Sequence, residues 1–147
     1  MQLAVDLECN GLYREATKIH CIVAKDMAEG TVYEFYGNRI EEGVTFLSKA
    51  SLIVGHNFIG FDMRVIEKLY KIKLDIKKIV DTYILSLMDN KYNRKKHSLE
   101  SWGEELGEMK KEHEDWTVFT PEMLARCKSD VEITHRLFKQ FDCTINN

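Results

Sequence analysis

The chain lacks most of the features that place a protein at once. No apolar stretch approaches the ~20 residues of a membrane span, and no signal-peptide pattern opens it. Proline occurs once, at Pro121, and there is no linker, internal repeat or low-complexity tract, so nothing divides the 147 residues into more than one domain. Cys9, Cys21, Cys127 and Cys143 make no CxxC or other metal-type spacing, and a reducing, cytoplasmic compartment is the simpler reading. Charge of one sign is missing too. The 21 Lys and Arg against 24 Asp and Glu leave a formal net charge of -3, which does not announce a nucleic-acid binder. It does not exclude one either, because carboxylates gathered around a metal subtract charge that bound cations restore. With 44% hydrophobic and 31% charged residues, the chain is too apolar for disorder and long enough for a substantial core.

What is present begins with the first strand, Met1 to Asn10, an apolar run carrying Asp6 and Glu8 two residues apart. Strand side chains alternate faces, so both carboxylates point one way, with Leu3, Val5 and Leu7 the other. Two adjacent carboxylates repel and raise each other's pKa unless a cation sits between them. Hard oxygen ligands suit Mg²⁺ or Mn²⁺. Taken alone, the pair reads equally well as the wet face of an edge strand.

Further along, Asn10-Gly11 marks a turn, and the β-branched and aromatic runs 19–24 and 31–36 read as a meander joined at Glu29-Gly30. A surface helix is expected over 40–49 and a short buried strand over 51–55, before the loop His56-Asn57-Phe58-Ile59-Gly60. Helical spacing follows from Phe61. A fifth strand over 76–80 should run through Asp81-Thr82 into a short helix at 83–88, with Asp81 capping it or supporting the site from behind. Ser98 has the look of an N-cap for a helix ending before Gly107. Thr120-Pro121 opens the last helix, whose stripe is Met123, Leu124, Cys127, Val131, Thr134, Phe138 and Phe141. This order predicts a mixed-sheet α/β domain.

Two more acids stand out. Asp62 falls in the first turn after a buried strand, and Asp130 lies on or beside the core-facing side of the last helix. Carboxylates in such places are rare unless paired or metal-bound. Helix N-terminal charge for Asp62, or an i,i+4 pair with Arg126 for Asp130, are the plainer readings.

Together, Asp6-x-Glu8 on a first strand, Asn57-x4-Asp62 after a later one and Asp130 in a late helix resemble the DEDD superfamily of 3′–5′ exonucleases in order and spacing. Thr17-Lys18-Ile19-His20-Cys21, Val80-Asp81-Thr82 and the run from His97 to Lys110 further resemble the proofreading domain of short-tailed-phage family A DNA polymerases. The resemblance implies a ribonuclease H-like fold, a mixed five-stranded sheet flanked by helices, spanning 1–147 as one exonuclease domain. It implies hydrolysis of phosphodiester bonds at 3′ ends of single-stranded DNA by two divalent metal ions, Mg²⁺ or Mn²⁺, which activate water and stabilise charge on the attacking and leaving oxygens. Asp6 would bridge both ions, Glu8 and Asp130 would complete the site holding the water, and Asp62 would serve the leaving-group metal.

For substrate contacts, the resemblance points to Leu12 as an apolar wedge against terminal bases and to Asn57 and Phe61 in the second motif. The plainer readings are a turn residue covering the core for Leu12 and a loop-structuring Asn for Asn57. The basic run 91–97, with Tyr92 and Arg94, could track a single-stranded backbone, or be a solvated loop. One departure matters. Family members place Tyr four residues, or His five, before the last Asp, where this chain has Arg126 and Ala125. Arg has no acceptor and cannot serve as a base. It would contact the scissile phosphate, or tie up Asp130 and slow the enzyme. The rival reading is therefore a weakened module that binds 3′ ends or partners a separate DNA polymerase, and RNA is an alternative substrate. No polymerase fingers, palm or thumb follow the last helix, so the reading is either an excised domain or a free-standing exonuclease. The Met1 start and the Ile145-Asn146-Asn147 end favour the free-standing protein, acting in the bacterial host if phage-encoded.

Overall fold

The computed structural model describes residues 1–89, 94–107 and 115–145, without the side chains of 142–145. Its centre is β1 (Gln2–Cys9), flanked by antiparallel β2 (Ile19–Asp26) and parallel β4 (Leu52–Gly55). The edges are β3 (Val32–Tyr36), antiparallel to β2, and β5 (Ile79–Asp81), parallel to β4, in the order β3-β2-β1-β4-β5. The β2–β3 turn follows from local chemistry. Asp26 accepts the Ala28 N–H at 2.9 Å, and Gly30 takes the left-handed φ of 80° that closes the hairpin.

The alternation in β1 divides the core. Leu3, Val5, Leu7 and Cys9 face one side and pack with α1 (Ile40–Ser48), α2 (Met63–Tyr70) and the buried Phe58. Ala4 faces the other, with Cys21 and Val23 of β2 against Cys127 and Val131 of α5 (Pro121–Ile145). A third cluster, Trp102, Leu137 and Phe141 with Leu85, joins α5 to α3 (Thr82–Met88) and α4 (Leu99–Leu106).

Several boundaries differ from the expected ones for identifiable reasons. The strand expected at 76–80 begins only at Ile79, because Asp75 captures the Lys77 N–H at 3.0 Å and winds 76–78 into a 3₁₀ turn. The helix at 40–48 is not merely superficial: Ile40, Gly43, Val44 and Leu47 are buried, and a Cβ on Gly43 would lie 2.8 Å from the Phe35 ring. Along α5 the buried stripe is wider than predicted, taking in Ile133 and Leu137, while Phe138 is only half-buried. The helix lies between the sheet and α3/α4, so two of its faces are covered. Caps match their signals. Ser98 accepts the Ser101 N–H at 3.1 Å, Gly107 has φ 80°, and Thr120 accepts the Met123 N–H at 3.2 Å. Among the described residues no helix is long and apolar enough to cross a membrane.

Candidate active site

Four carboxylates converge where β1 and β4 end. Asp6 and Glu8 stand on the α5 face of β1, opposite Val23 and Cys21 of β2. Asp62 ends a π-helical turn, Phe58–Asp62, that follows β4. The chain enters that turn through Asn57 in the left-handed region, φ 56°. A Cβ on Gly55 would lie 2.7 Å from the Phe58 side chain, so this close approach requires glycine. Asp81 then fixes the loop: it accepts the N–H groups of Asn57 at 2.8 Å and Ile59 at 3.1 Å while capping α3 through Tyr83 at 2.9 Å. Asp130 comes from the middle of α5 and is 4% exposed.

These acids line one cleft of about 420 Å³ with Arg126, His56, Asn57, Phe61, Tyr83, Ser98 and Leu99. Their proximity shows in the charge balance. Burial pushes the Asp62 carboxyl well above its ordinary pKa, and Glu8, Asp81 and Asp130 push it further. Carboxylate oxygens of Asp6 and Glu8 and the sulfur of Cys127 lie within 4.8 Å of one another. Cys127 donates its S–H to the Asp6 carbonyl at 3.4 Å, and burial drives its pKa well up. The carboxylate oxygens beside it are the donors that hard divalent cations prefer.

The expected substrate residues divide. Leu12, 74% exposed, lies on the rim of a second cavity of about 400 Å³ lined by Leu7, Glu8, Cys9, Phe61 and Trp116. Leu7, Glu8 and Phe61 line both cavities, so the two adjoin. Asn57 lines the carboxylate cleft, yet its backbone also shapes the loop, the carbonyl accepting the Phe61 N–H at 3.0 Å. Arg94 is not brought to the cleft. Its guanidinium lies 3.6 Å from the Trp102 ring centroid and donates to Glu105 and Ser101, each at 2.8 Å, which holds it against α4. Tyr92 lies outside the described residues. Arg126 lines the cleft, with its guanidinium 4.7 Å from the Trp116 ring centroid. Trp116, Tyr83 and His56 were not singled out from sequence. Trp116 and Tyr83 carry no spacing signal, whereas the His56-Asn57 pair in a Gly-flanked loop was a signal within reach.

The chain superposes on the apo form of a nuclease with a TM-score of 0.75 and 21% identity, over 97% of this chain and 72% of that one. The fold is a nuclease fold. Brucella melitensis NrnC with bound Mg²⁺ also matches, with a TM-score of 0.71 and 21% identity over 96% of this chain and 71% of that one. The sheet order and flanking helices make it ribonuclease H-like. In sequence the chain is similar to the DNA-directed DNA polymerase of Enterobacteria phage T3, 27% identical over 183 aligned positions that cover 94% of this chain and 26% of the polymerase. The Escherichia phage T7 DNA-directed DNA polymerase matches at 27% over 180 positions, 92% of this chain and 26% of that one. The expected resemblance to the exonuclease region of such polymerases is thus present over nearly the whole chain, which spans about a quarter of the length of the curated relatives it matches. No family model matches the chain.

Proposed function

We propose that this nuclease-fold chain is a divalent-metal-dependent 3′–5′ exonuclease that removes nucleotides from single-stranded DNA ends. The observation that carries the reading is the convergence of Asp6, Glu8, Asp62 and Asp130 in one cleft, with Asp62 destabilised as an anion by burial and then by its neighbours. Such a cluster is costly without cations and fits them well. The likeness to phage DNA polymerases supports DNA over RNA as substrate, and that to the Mg²⁺-bound NrnC supports the metal.

Asp6, Glu8, Asp62 and Asp130 would hold two divalent ions, Mg²⁺ or Mn²⁺. When bound, such ions lower the pKa of water and stabilise charge on phosphate oxygens. The chain's own part is placement. β1 and α5 fix three carboxylates on rigid elements, and the Asp81-pinned turn fixes the fourth. Leu12 and Phe61 flank the adjoining cavity, where a terminal base would lie off the cleft. A DNA polymerase is the partner that this reading suggests, because the sequence likeness is to phage DNA polymerases.

The test is a gel time course on 5′-labelled single-stranded DNA in Mg²⁺, Mn²⁺ or EDTA, with Asp6→Ala alongside. A ladder shortening from the 3′ end, lost in EDTA and in the variant, is expected. Intact DNA in both metals, retained by the protein, would leave a 3′-end binding module in which Arg126 has replaced turnover.

A further inference from the structure

The carboxylate cleft has a cation of its own. Among its described lining residues, Arg126 carries the one fixed positive charge. A strand bringing phosphates to four carboxylates meets repulsion, and a guanidinium in the same wall offsets part of it. Arg126 Nε is buried and has no hydrogen-bond partner among the described residues. A buried donor in that state gains from any oxygen that reaches it.

Its placement is built from outside the cleft. The guanidinium carbon lies 4.7 Å from the centroid of Trp116, a residue of the adjoining cavity. Stacking uses the guanidinium's flat face and leaves its in-plane N–H edges to bind. Trp116 is itself anchored. His20, buried on β2, donates its Nε2–H to the Trp116 carbonyl at 2.7 Å across 96 residues of chain. A carbonyl only accepts, so the imidazole carries that hydrogen. On either side, Asp115 accepts the Thr117 N–H at 3.0 Å and Phe119 stacks on Tyr36 at 5.3 Å between ring centroids. The segment before α5 therefore presents its indole at a defined place, in the second cavity and against the Arg126 guanidinium of the first.

Resting on the nuclease reading, we propose that Arg126 binds a backbone phosphate of the nucleic-acid strand and that Trp116, pinned by His20, is the positioning residue that aims it. Arg126 then acts on binding, and its removal should appear in KM before kcat.

The experiment measures anisotropy of a labelled single-stranded oligonucleotide in EDTA across a salt series, with Mg²⁺ kinetics beside it. Arg126→Met should weaken binding about tenfold, the size of a lost charged hydrogen bond. It should also reduce the slope of log K against log salt by about 0.7, one phosphate contact on a single strand. Arg126→Lys should restore the slope. Trp116→Ala should reproduce the Arg126→Met slope and add nothing in the double variant, whereas Trp116→Phe, keeping an aromatic face, should stay near wild type. An unchanged slope in Arg126→Met, with DNA still shortened by the wild type, overturns this proposal alone. A wild type that neither binds nor shortens DNA overturns the nuclease reading with it.

Discussion

The carboxylate of Asp81 accepts the backbone N–H of Asn57 at 2.8 Å, joining two residues 24 apart in sequence and closing the end of β5 against the loop after β4. The same side chain takes the Ile59 N–H on its other oxygen and the Tyr83 N–H on the first. Both oxygens are therefore engaged, and the turn that delivers Asp62 hangs from them. Asp81→Asn would turn one oxygen into an amide that faces the Ile59 or the Asn57 N–H donor to donor. The expected cost is about 1–3 kcal/mol, the size of a lost charged hydrogen bond with an orphaned buried donor. Chemical denaturation checks the stability. Because Asp62 loses its support, kcat should fall as well; unchanged kcat in a destabilised variant would separate the loop from the chemistry.

Asp62 gives the protein a pH dependence whose sign follows from its surroundings. Its pKa is raised first by burial, then by Glu8, Asp81 and Asp130. The folded chain thus binds a proton that the unfolded chain, with a carboxyl pKa of about 3.9, has released. Stability from this group is complete below that unfolded value and is lost as pH rises through the folded pKa. Asp62→Asn should therefore raise Tm by several degrees near neutral pH in EDTA, while abolishing activity and the stabilisation by Mg²⁺. Thermal melts of both proteins from about pH 5 to 8 check this, since the difference isolates Asp62. His135, whose pKa is lowered by burial and by Lys25 and Lys139, contributes the opposite slope to both and cancels.

Much of the site was legible because its signals are local. Alternation in β1 placed Asp6 and Glu8 on one face, and the buried strand before Asn57 placed Asp62 at a helix start. Ser98 and Gly107 bounded α4 through capping chemistry that needs no tertiary partner. Where a distant or competing group decides, the pattern said less. Asp75 winds three residues of the expected fifth strand into a turn, although their apolar and basic alternation reads as extended. Ile133 and Leu137 lie off the expected stripe of α5, and Leu137 is buried because α3 and α4 bring Leu85 and Trp102 against it. Trp116 meets Arg126 with its backbone held by His20, 96 residues earlier, a tie that no local signal announces.

Arg94 shows the same limit from the other side. In a basic run it reads as a contact for a nucleic-acid backbone, but it is committed to Trp102, Ser101 and Glu105. Arg94→Ala should thus lower stability by about 0.5–2 kcal/mol through lost cation–π packing. Its effect on the salt dependence of DNA binding should be small. A stable variant with weaker binding and a shallower salt slope would return Arg94 to the substrate path.

Ser86 joins more of the cleft wall than any single contact shows. Trp102 donates its Nε1–H to Ser86 Oγ at 2.8 Å, which leaves the hydroxyl hydrogen for His97 Nδ1 at 2.6 Å. The His97 carbonyl in turn accepts from His56 Nε2 at 2.8 Å, and His56 Nδ1 meets Thr82 Oγ1 at 2.8 Å. This chain ties α3 and α4 to the end of β4, and Ser98 and Leu99, which follow His97, line the cleft. Ser86→Ala removes one oxygen but orphans two partners, one of them the buried indole N–H. The expected loss is about 1–3 kcal/mol in denaturant unfolding. If the chain also sets the cleft wall, KM for single-stranded DNA should rise in parallel, whereas Asp6→Ala should abolish turnover without loosening this corner. A Ser86→Ala protein as stable as wild type would mean that a water or a shifted His97 takes the indole proton, and the wall would then owe its shape to the packing of Trp102 on Phe141 and under Arg94.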